Sequence, residues 1–388
     1  MKYIHNAKVV LENGILWDGI ILIDGDRIAA VGTRGEIAIP AEAEGIDAGG
    51  HYVGPGFVDI HVHGGDGLAF PKEPLRVARY YLKHGTTTIL VSPHYKLTGE
   101  EYISCFARVR AAMREPGAGK CIAGVYAEGP YVNPLYGSGA KDNKWQDAVR
   151  AEDYKPVVDA AGDLVRIWTV APERKGILAF VQYAREVSPT VRFSVGHSQA
   201  TPEEIAALKP YGLNHLTHCM DATGRVSQWA GTRGSGPDEA CFLDRDMYCE
   251  LISDSVGAHV NPALQQLILQ SKGLDRVILV TDGSPACYTP PSHLRCYEDL
   301  SINEAGELAG SRLTMNKACR NIMTHTNCGI AQAFLLAARN PANAIGLGHE
   351  IGTVQVGKRA NLVFVDDSFH VIRVMLEGEL QGEGESAG

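Results

Sequence analysis

Two histidines stand two residues apart in Pro55-Gly56-Phe57-Val58-Asp59-Ile60-His61-Val62-His63-Gly64. Along a β-strand that spacing puts both imidazoles on one face. Asp59 shares the face, Val58, Ile60 and Val62 form an apolar reverse, and Gly64-Gly65 ends the run. Polar groups turned into an enclosed space need a partner, and imidazole is the commonest metal ligand near neutral pH. Four further short apolar runs end in a candidate ligand or base: Glu128, His197, His218 and, in Ile278-Leu279-Val280-Thr281-Asp282-Gly283, Asp282. Each also has an ordinary structural reading, with Glu128 and Asp282 capping the helices that follow and His218 a satisfied core histidine. Gathered at one end of a shared sheet, however, four histidines and two carboxylates would lose their hydration without compensation unless a cation joined them. Imidazole and carboxylate without thiolate suit Zn(II), Fe(II), Mn(II) or Co(II), with room left for water. Such a metal activates water and polarises a carbonyl, so the default chemistry is hydrolysis, with Asp282 as the base that later serves as acid.

Bringing those residues together requires parallel strands that all end on the same side. Short β-branched runs bounded by turn residues occur at 57–63, 86–92, 121–128, 165–171, 191–197, 213–218, 247–253 and 277–282. Helical periodicity lies between them, as in Leu75 to His84, Glu101 to Met113, Leu178 to Val187, Pro202 to Leu208 and Pro262 to Leu269. Eight alternating units predict an α/β fold of the (β/α)8 TIM barrel type, whose functional residues sit at the C-terminal ends of the strands. No GxGxxG follows the first strand, which disfavours a dinucleotide fold. The flanks read as strand and turn: Ala7 to Leu11, Ile20 to Ile23 and Arg27 to Val31 at one end, and Gly352 to Val356, Asn361 to Val365 and Val371 to Leu376 at the other. A long helical stretch from Asn316 to Arg339 precedes the second set. The expected division is a small β-sandwich domain made of residues 1–53 and 351–388 around a barrel of residues 54–350, with a frayed tail from Gln381 onward.

Composition narrows the function. The 388 residues are 45% hydrophobic and 21% charged, ordinary for a globular chain, and the net charge of −9 with no basic run interleaved with aromatics argues against nucleic acid. Nine scattered cysteines without a CxxC read as reduced core thiols, and no apolar run approaches membrane-spanning length. A cytoplasmic protein acting on a small molecule is expected.

The strand-end motifs, with Glu128-Gly129-Pro130-Tyr131-Val132-Asn133-Pro134, Gly196-His197-Ser198, Asn214-His215-Leu216-Thr217-His218, Gly310-Ser311-Arg312-Leu313-Thr314-Met315 and Gly357-Lys358-Arg359-Ala360-Asn361-Leu362, resemble the amidohydrolase superfamily over nearly the whole length. Within it the chain is most similar to the N-acetylglucosamine-6-phosphate deacetylases. The resemblance implies that Glu128, His197 and His218 hold a main metal, that His61 and His63 allow a second, and that the metal is zinc or iron, one or two ions per subunit. It implies that Asp282 deprotonates the attacking water and protonates the leaving amine, and that His259, in Gly257-Ala258-His259-Val260, hydrogen-bonds the amide oxygen. It further implies a homodimer, because the family's phosphate arginine comes from a neighbouring subunit.

The chain departs from the family pattern around the phosphate. Where the family reads close to His-x-x-Asn-Ala-Met, this chain reads His218-Cys219-Met220-Asp221-Ala222-Thr223, and an aspartate repels a phosphate dianion. Arg233 in Arg233-Gly234-Ser235-Gly236 matches the phosphate arginine, Arg225 competes with it, and Lys141 stands where a histidine or glutamine is expected. The expectation is deacetylation of an N-acetylhexosamine 6-phosphate, with Arg233, Asp221, Ala222, Lys141, Arg225 and His259 around the substrate. Two alternatives are an amidohydrolase acting on an unphosphorylated amino sugar, an N-acyl amino acid or a dihydroorotase-like cyclic amide, and a metal-free relative kept for assembly.

Overall fold

In the computed structural model, which describes residues 1–227, 229–285 and 297–382, the eight apolar runs are eight strands. They are β1 (Phe57–Val62), β2 (Thr86–Val91), β3 (Ile122–Ala127), β4 (Val165–Val170), β5 (Arg192–Val195), β6 (Leu213–Leu216), β7 (Tyr248–Leu251) and β8 (Val277–Leu279). Each pairs in parallel with the next, giving the barrel order β1 to β8. The closure between β8 and β1 lies just past β8, where the Asp282 N–H donates to the His61 carbonyl at 3.0 Å and the His63 and Gly64 N–H groups donate to the Gly283 carbonyl at 2.8 Å. Asp59 ties the same seam: its carboxylate accepts from the Thr281 hydroxyl at 2.6 Å and the Thr281 N–H at 3.3 Å. Burial holds its carboxyl at about 7 in spite of those donors.

The outer layer follows from local signals. Its helices are α1 (Pro74–Lys83), α2 (Gly99–Ala112), α3 (Ala151–Ala161), α4 (Ile177–Val187), α5 (Pro202–Leu208), α6 (Pro237–Leu243), α7 (Pro262–Lys272) and α8 (Met315–Thr326). Thr98 with Glu101 and Thr201 with Glu204 form capping boxes, and the Asn261 side chain accepts from the Ala263 N–H. The sequence pattern does not single out α3, which carries Pro156 inside it, or the seven-residue α6. Between strands and helices the core is dense with aromatic rings. Phe180 on α4 meets Tyr131, Tyr154, Trp168 and Phe193 edge to face, with centroids 5.3 to 6.5 Å apart.

Both termini join in one further eight-stranded sheet, built from Lys2–Leu11, Gly14–Asp24, Arg27–Thr33, Glu44–Asp47, Tyr52–Pro55, Leu362–Val365, Val371–Leu376 and Glu379–Leu380. It curls so far that the Ile28 N–H reaches the Lys358 carbonyl at 2.9 Å and the Ala360 N–H reaches the Asp26 carbonyl at 2.7 Å. Ile4, Val9, Ile21, Ile28, Phe364 and Met375 therefore share a second core.

Two expectations differ from the structure. The long helix breaks at Asn327, which turns left-handed at φ 57° to end α8, and helix resumes only at Ile330. Gly352 to Val356 is irregular, because Gly352 at φ 92° approaches the helix before it, where a Cβ would lie 2.7 Å from that of Ala342. Residues 383–388 of the expected tail, with Cys287 and Cys296, lie outside the described residues. The seven described cysteines are buried and free, and no described helix is long and apolar enough to cross a membrane.

Candidate metal centre and active site

The barrel brings all six strand-end residues together at its C-terminal end. His197 Nε2 and His218 Nε2 lie 2.7 and 3.2 Å from Glu128 Oε1. His63 Nε2 lies 3.4 Å from Glu128 Oε2 and 3.2 Å from Asp282 Oδ1, and His61 Nε2 lies 3.3 Å from His63 Nε2. Two triads result, His61–His63–Glu128 and Glu128–His197–His218, each with its ligand atoms within 4.8 Å of one another. Three of the residues are held in left-handed backbone, His197 at φ 46°, His218 at 25° and Asp282 at 47°. Non-glycine residues take that conformation when the surroundings force it, and such sites cluster where function is.

The outer nitrogens decide what the inner ones can do. Nδ1 of His61 faces Glu250 Oε2 at 3.2 Å, that of His63 faces the Ser92 carbonyl at 2.8 Å, and that of His218 faces the Asp221 carbonyl at 3.2 Å. All three partners are acceptors, so Nδ1 carries the proton and Nε2 keeps its lone pair toward the centre, the arrangement of metal-ligating histidine. Gly137 makes room for the fourth: a Cβ there would lie 2.6 Å from His197 Nδ1.

Those residues fit a divalent ion. Without one, charge balance falls to protons: burial alone would lower His63, yet the Glu128 and Asp282 carboxylates raise it to about 10. Burial likewise opposes protonation of His218, while the hydrogen bond to Glu128 and the charge of Asp221 bring it to about 10. Protons so placed sit on the nitrogens that point inward, and Glu128 Oε2 and Asp282 Oδ1 remain buried without a hydrogen bond. A cation supplies the same charge and satisfies the lone pairs on both sides.

Around this centre stand residues that the strand-end pattern does not single out. Glu250, in the middle of β7 and fully buried, holds His61 and also accepts from the Tyr126 hydroxyl at 2.9 Å. His94, beyond β2, points Nε2 at Glu128 Oε2 from 3.5 Å. Its Nδ1 faces the Lys96 N–H at 3.4 Å, so this ring carries its proton on the inner nitrogen and is a donor, unlike His61, His63 and His218. His259 is oriented by Asp254, whose Oδ2 accepts from Nδ1 at 3.0 Å and from the His259 N–H at 2.9 Å, while Nε2 faces the Gly310 carbonyl at 3.1 Å. Burial works against charge on His259, but Asp254, Asp221 and Asp282 together raise it, so Nε2 is a donor.

The amidohydrolase family pattern matches residues 52–380. The chain belongs to the amidohydrolase family. It is 28% identical to the N-acetylgalactosamine-6-phosphate deacetylase of Escherichia coli O157:H7, covering 98% of this chain and 99% of that one. It is 27% identical to the N-acetylglucosamine-6-phosphate deacetylase of Bacillus subtilis, over 97% and 96%. A solved structure of the N-acetyl-D-glucosamine-6-phosphate deacetylase from Mycobacterium smegmatis in complex with N-acetyl-D-glucosamine-6-phosphate superposes with a TM-score of 0.82 at 29% identity, covering 98% of each chain. This amidohydrolase is therefore a hydrolytic enzyme built on a TIM barrel, with His and Glu groups able to hold a metal.

A cavity of about 340 Å³ opens from the metal groups past Asp221 and Ala222 on the loop after β6. The three expected cations are elsewhere. Arg225 Nε and Arg233 sit on Glu239 at 2.8 and 3.3 Å, and neither lines the cavity. Arg233 is 71% exposed. Lys141 lies exposed on a short 3₁₀ turn, Ala140–Asp142, also off the cavity. Within one chain these three residues do not reach the site; Asp221 and Ala222 do.

Proposed function

We propose that this enzyme hydrolyses the acetamide of an N-acetylhexosamine 6-phosphate, N-acetylglucosamine 6-phosphate foremost, releasing acetate and the amino sugar phosphate. The observation that carries the reading is the convergence of four imidazoles on Glu128, with Asp282 at the same cavity and His259 against the Gly310 carbonyl of its wall, in a chain similar to such deacetylases from end to end. Glu128, His197 and His218 would hold the main ion, and Glu128 Oε2 with His61 and His63 a second, zinc or iron(II) by ligand type. A bound ion would polarise the amide carbonyl and lower the pKa of water.

The chain's own groups account for the protons. The Asp282 carboxylate, kept ionised at about 2 by His63 and His61 against the effect of burial, takes a proton from water as its oxygen adds to the carbonyl carbon. His259 Nε2–H donates to the oxygen that gains charge. When the carbon–nitrogen bond breaks, Asp282 returns the proton to the nitrogen, so that one water is consumed and no proton is left on the enzyme. Buried reduced thiols and a phosphorylated substrate fit a cytoplasmic setting. Outward-turned Arg233 could serve a phosphate only across a homodimer.

The test is acetate release from N-acetylglucosamine and N-acetylgalactosamine, each with and without the 6-phosphate, by protein supplied with Zn(II) or Fe(II). Turnover that prefers the phosphorylated sugars and vanishes in Asp282→Asn supports the reading. Turnover of unphosphorylated amides only, or none at all, refutes it.

A further inference from the structure

The charges lining the cavity are not spread evenly. Asp221 stands on the loop after β6, and its carboxylate has no hydrogen-bond or ion-pair partner among the described residues. In an eight-stranded barrel β2 lies four strands from β6, directly across the mouth. On that opposite side Lys96 enters the wall from the loop after β2, with Lys72 from the loop after β1 and Arg108 from α2. Lys96 is half-buried, and none of these three cations has a carboxylate within ion-pair distance among the described residues. The acid that feels Lys96, Glu307, is already bonded to the Asn303 amide at 2.8 Å and the Gly139 N–H at 3.2 Å. Glu101, the acidic residue on this side, is turned to the Thr98 N–H in its capping box. The positive end of the cavity is thus at β1 and β2, and its negative end at β6.

We propose that the substrate's phosphate is bound on the β2 side, with Lys96 Nζ as its direct ligand and Lys72 and Arg108 supplying the surrounding positive field, so that the phosphate site is complete within one subunit. This rests on the deacetylase reading for the identity of the substrate. A lysine in a half-buried wall with no resident counter-ion suits an incoming dianion, and the bare Asp221 carboxylate excludes that dianion from the opposite side.

The experiment measures binding and turnover separately, on full-length metal-loaded protein. Calorimetry with glucosamine 6-phosphate and with glucosamine compares wild type, Lys96→Gln, Lys96→Arg and Arg233→Ala. Loss of one charge-assisted hydrogen bond predicts a Kd for the phosphorylated sugar raised roughly 10- to 100-fold in Lys96→Gln, with recovery in Lys96→Arg. Glucosamine affinity should stay within about twofold throughout, and Arg233→Ala should bind like wild type. A Lys96→Gln protein that binds the phosphorylated sugar as wild type does, or a tenfold loss in Arg233→Ala instead, overturns the proposal. Turnover tells the two readings apart. Phosphate binding that depends on Lys96 without acetate release from the N-acetyl sugar 6-phosphates sinks the deacetylase and keeps the subsite; acetate release indifferent to Lys96 does the reverse.

Discussion

Glu250→Gln should weaken one half of the metal centre and spare the other. Glu250 Oε2 accepts from His61 Nδ1 at 3.2 Å and lies 3.5 Å from the His218 N–H, while Oε1 accepts from the Tyr126 hydroxyl at 2.9 Å. Glutamine preserves the shape but leaves a single acceptor. If its oxygen serves Tyr126, its NH₂ faces the Nδ1–H of His61, donor against donor. If it flips, the Tyr126 bond is lost and His61 keeps a neutral acceptor in place of a charged one. Either way the proton on Nδ1 is less firmly placed, and the competing tautomer puts it on the nitrogen that should face the ion. Outer partners of this kind typically contribute 10- to 100-fold in metal affinity, about 1.4 to 2.8 kcal/mol. The Glu128–His197–His218 triad meets Glu250 only through the His218 backbone, so its affinity should change less than about threefold. Metal-stripped protein titrated with Zn(II) against a chromophoric chelator resolves the two classes of site. Tyr126→Phe, which leaves the carboxylate in place, serves as the control. Two ions bound as tightly as in wild type, or both weakened equally, would refute the tautomer argument.

Other outcomes follow from the same geometry. His259→Ala should lower kcat by about 10²- to 10³-fold with metal content unchanged; a fall confined to KM would remove His259 from the oxyanion role. His215, fully buried beside Asn214, is depressed to about 4 by burial. The unfolded chain therefore takes up a proton that the folded chain refuses, and stability falls as pH drops from about 6.5 to about 4, by about 3 kcal/mol in total. Urea midpoints of the metal-stripped protein should show that fall flattened in His215→Gln, and an unchanged slope would contradict the assignment. Phe180→Ala, which empties the centre of the aromatic cluster, should cost about 3 to 5 kcal/mol in the same assay while leaving kcat alone.

The strand-end residues are legible in the sequence because period-two apolar runs announce where each strand stops, and parallel pairing then fixes where the last side chains meet. Glu250 is not, since a carboxylate between Cys249 and Leu251 looks like any polar position on a half-buried strand until His61 is seen across the barrel. His94 escapes for a different reason. It lies beyond the end of β2, after Pro93, and reaches Glu128 only because the Glu128 N–H pairs with the Pro93 carbonyl at 3.0 Å. The arginines are legible in type and position only, because their pairing with Glu239 within the chain depends on a loop path that spacing does not encode. Asn327 likewise reads as one residue in a helical run, and only the packing of α8 shows it as a stop.

The left-handed backbones of His197, His218 and Asp282 also bear on how such a chain changes over generations. At about 1 to 2 kcal/mol each, they total about 3 to 6 kcal/mol, a large part of the 5 to 15 kcal/mol that separates a typical domain from its unfolded state. Glycine or asparagine at those three positions would relax the main chain and erase the reaction in one step. A lineage released from the need for hydrolysis would thus drift toward sturdier, inert descendants, and these three residues would be among the first to go. Histidine, histidine and aspartate at these positions therefore cost the fold stability, the trade expected of residues kept for the hydrolysis proposed above.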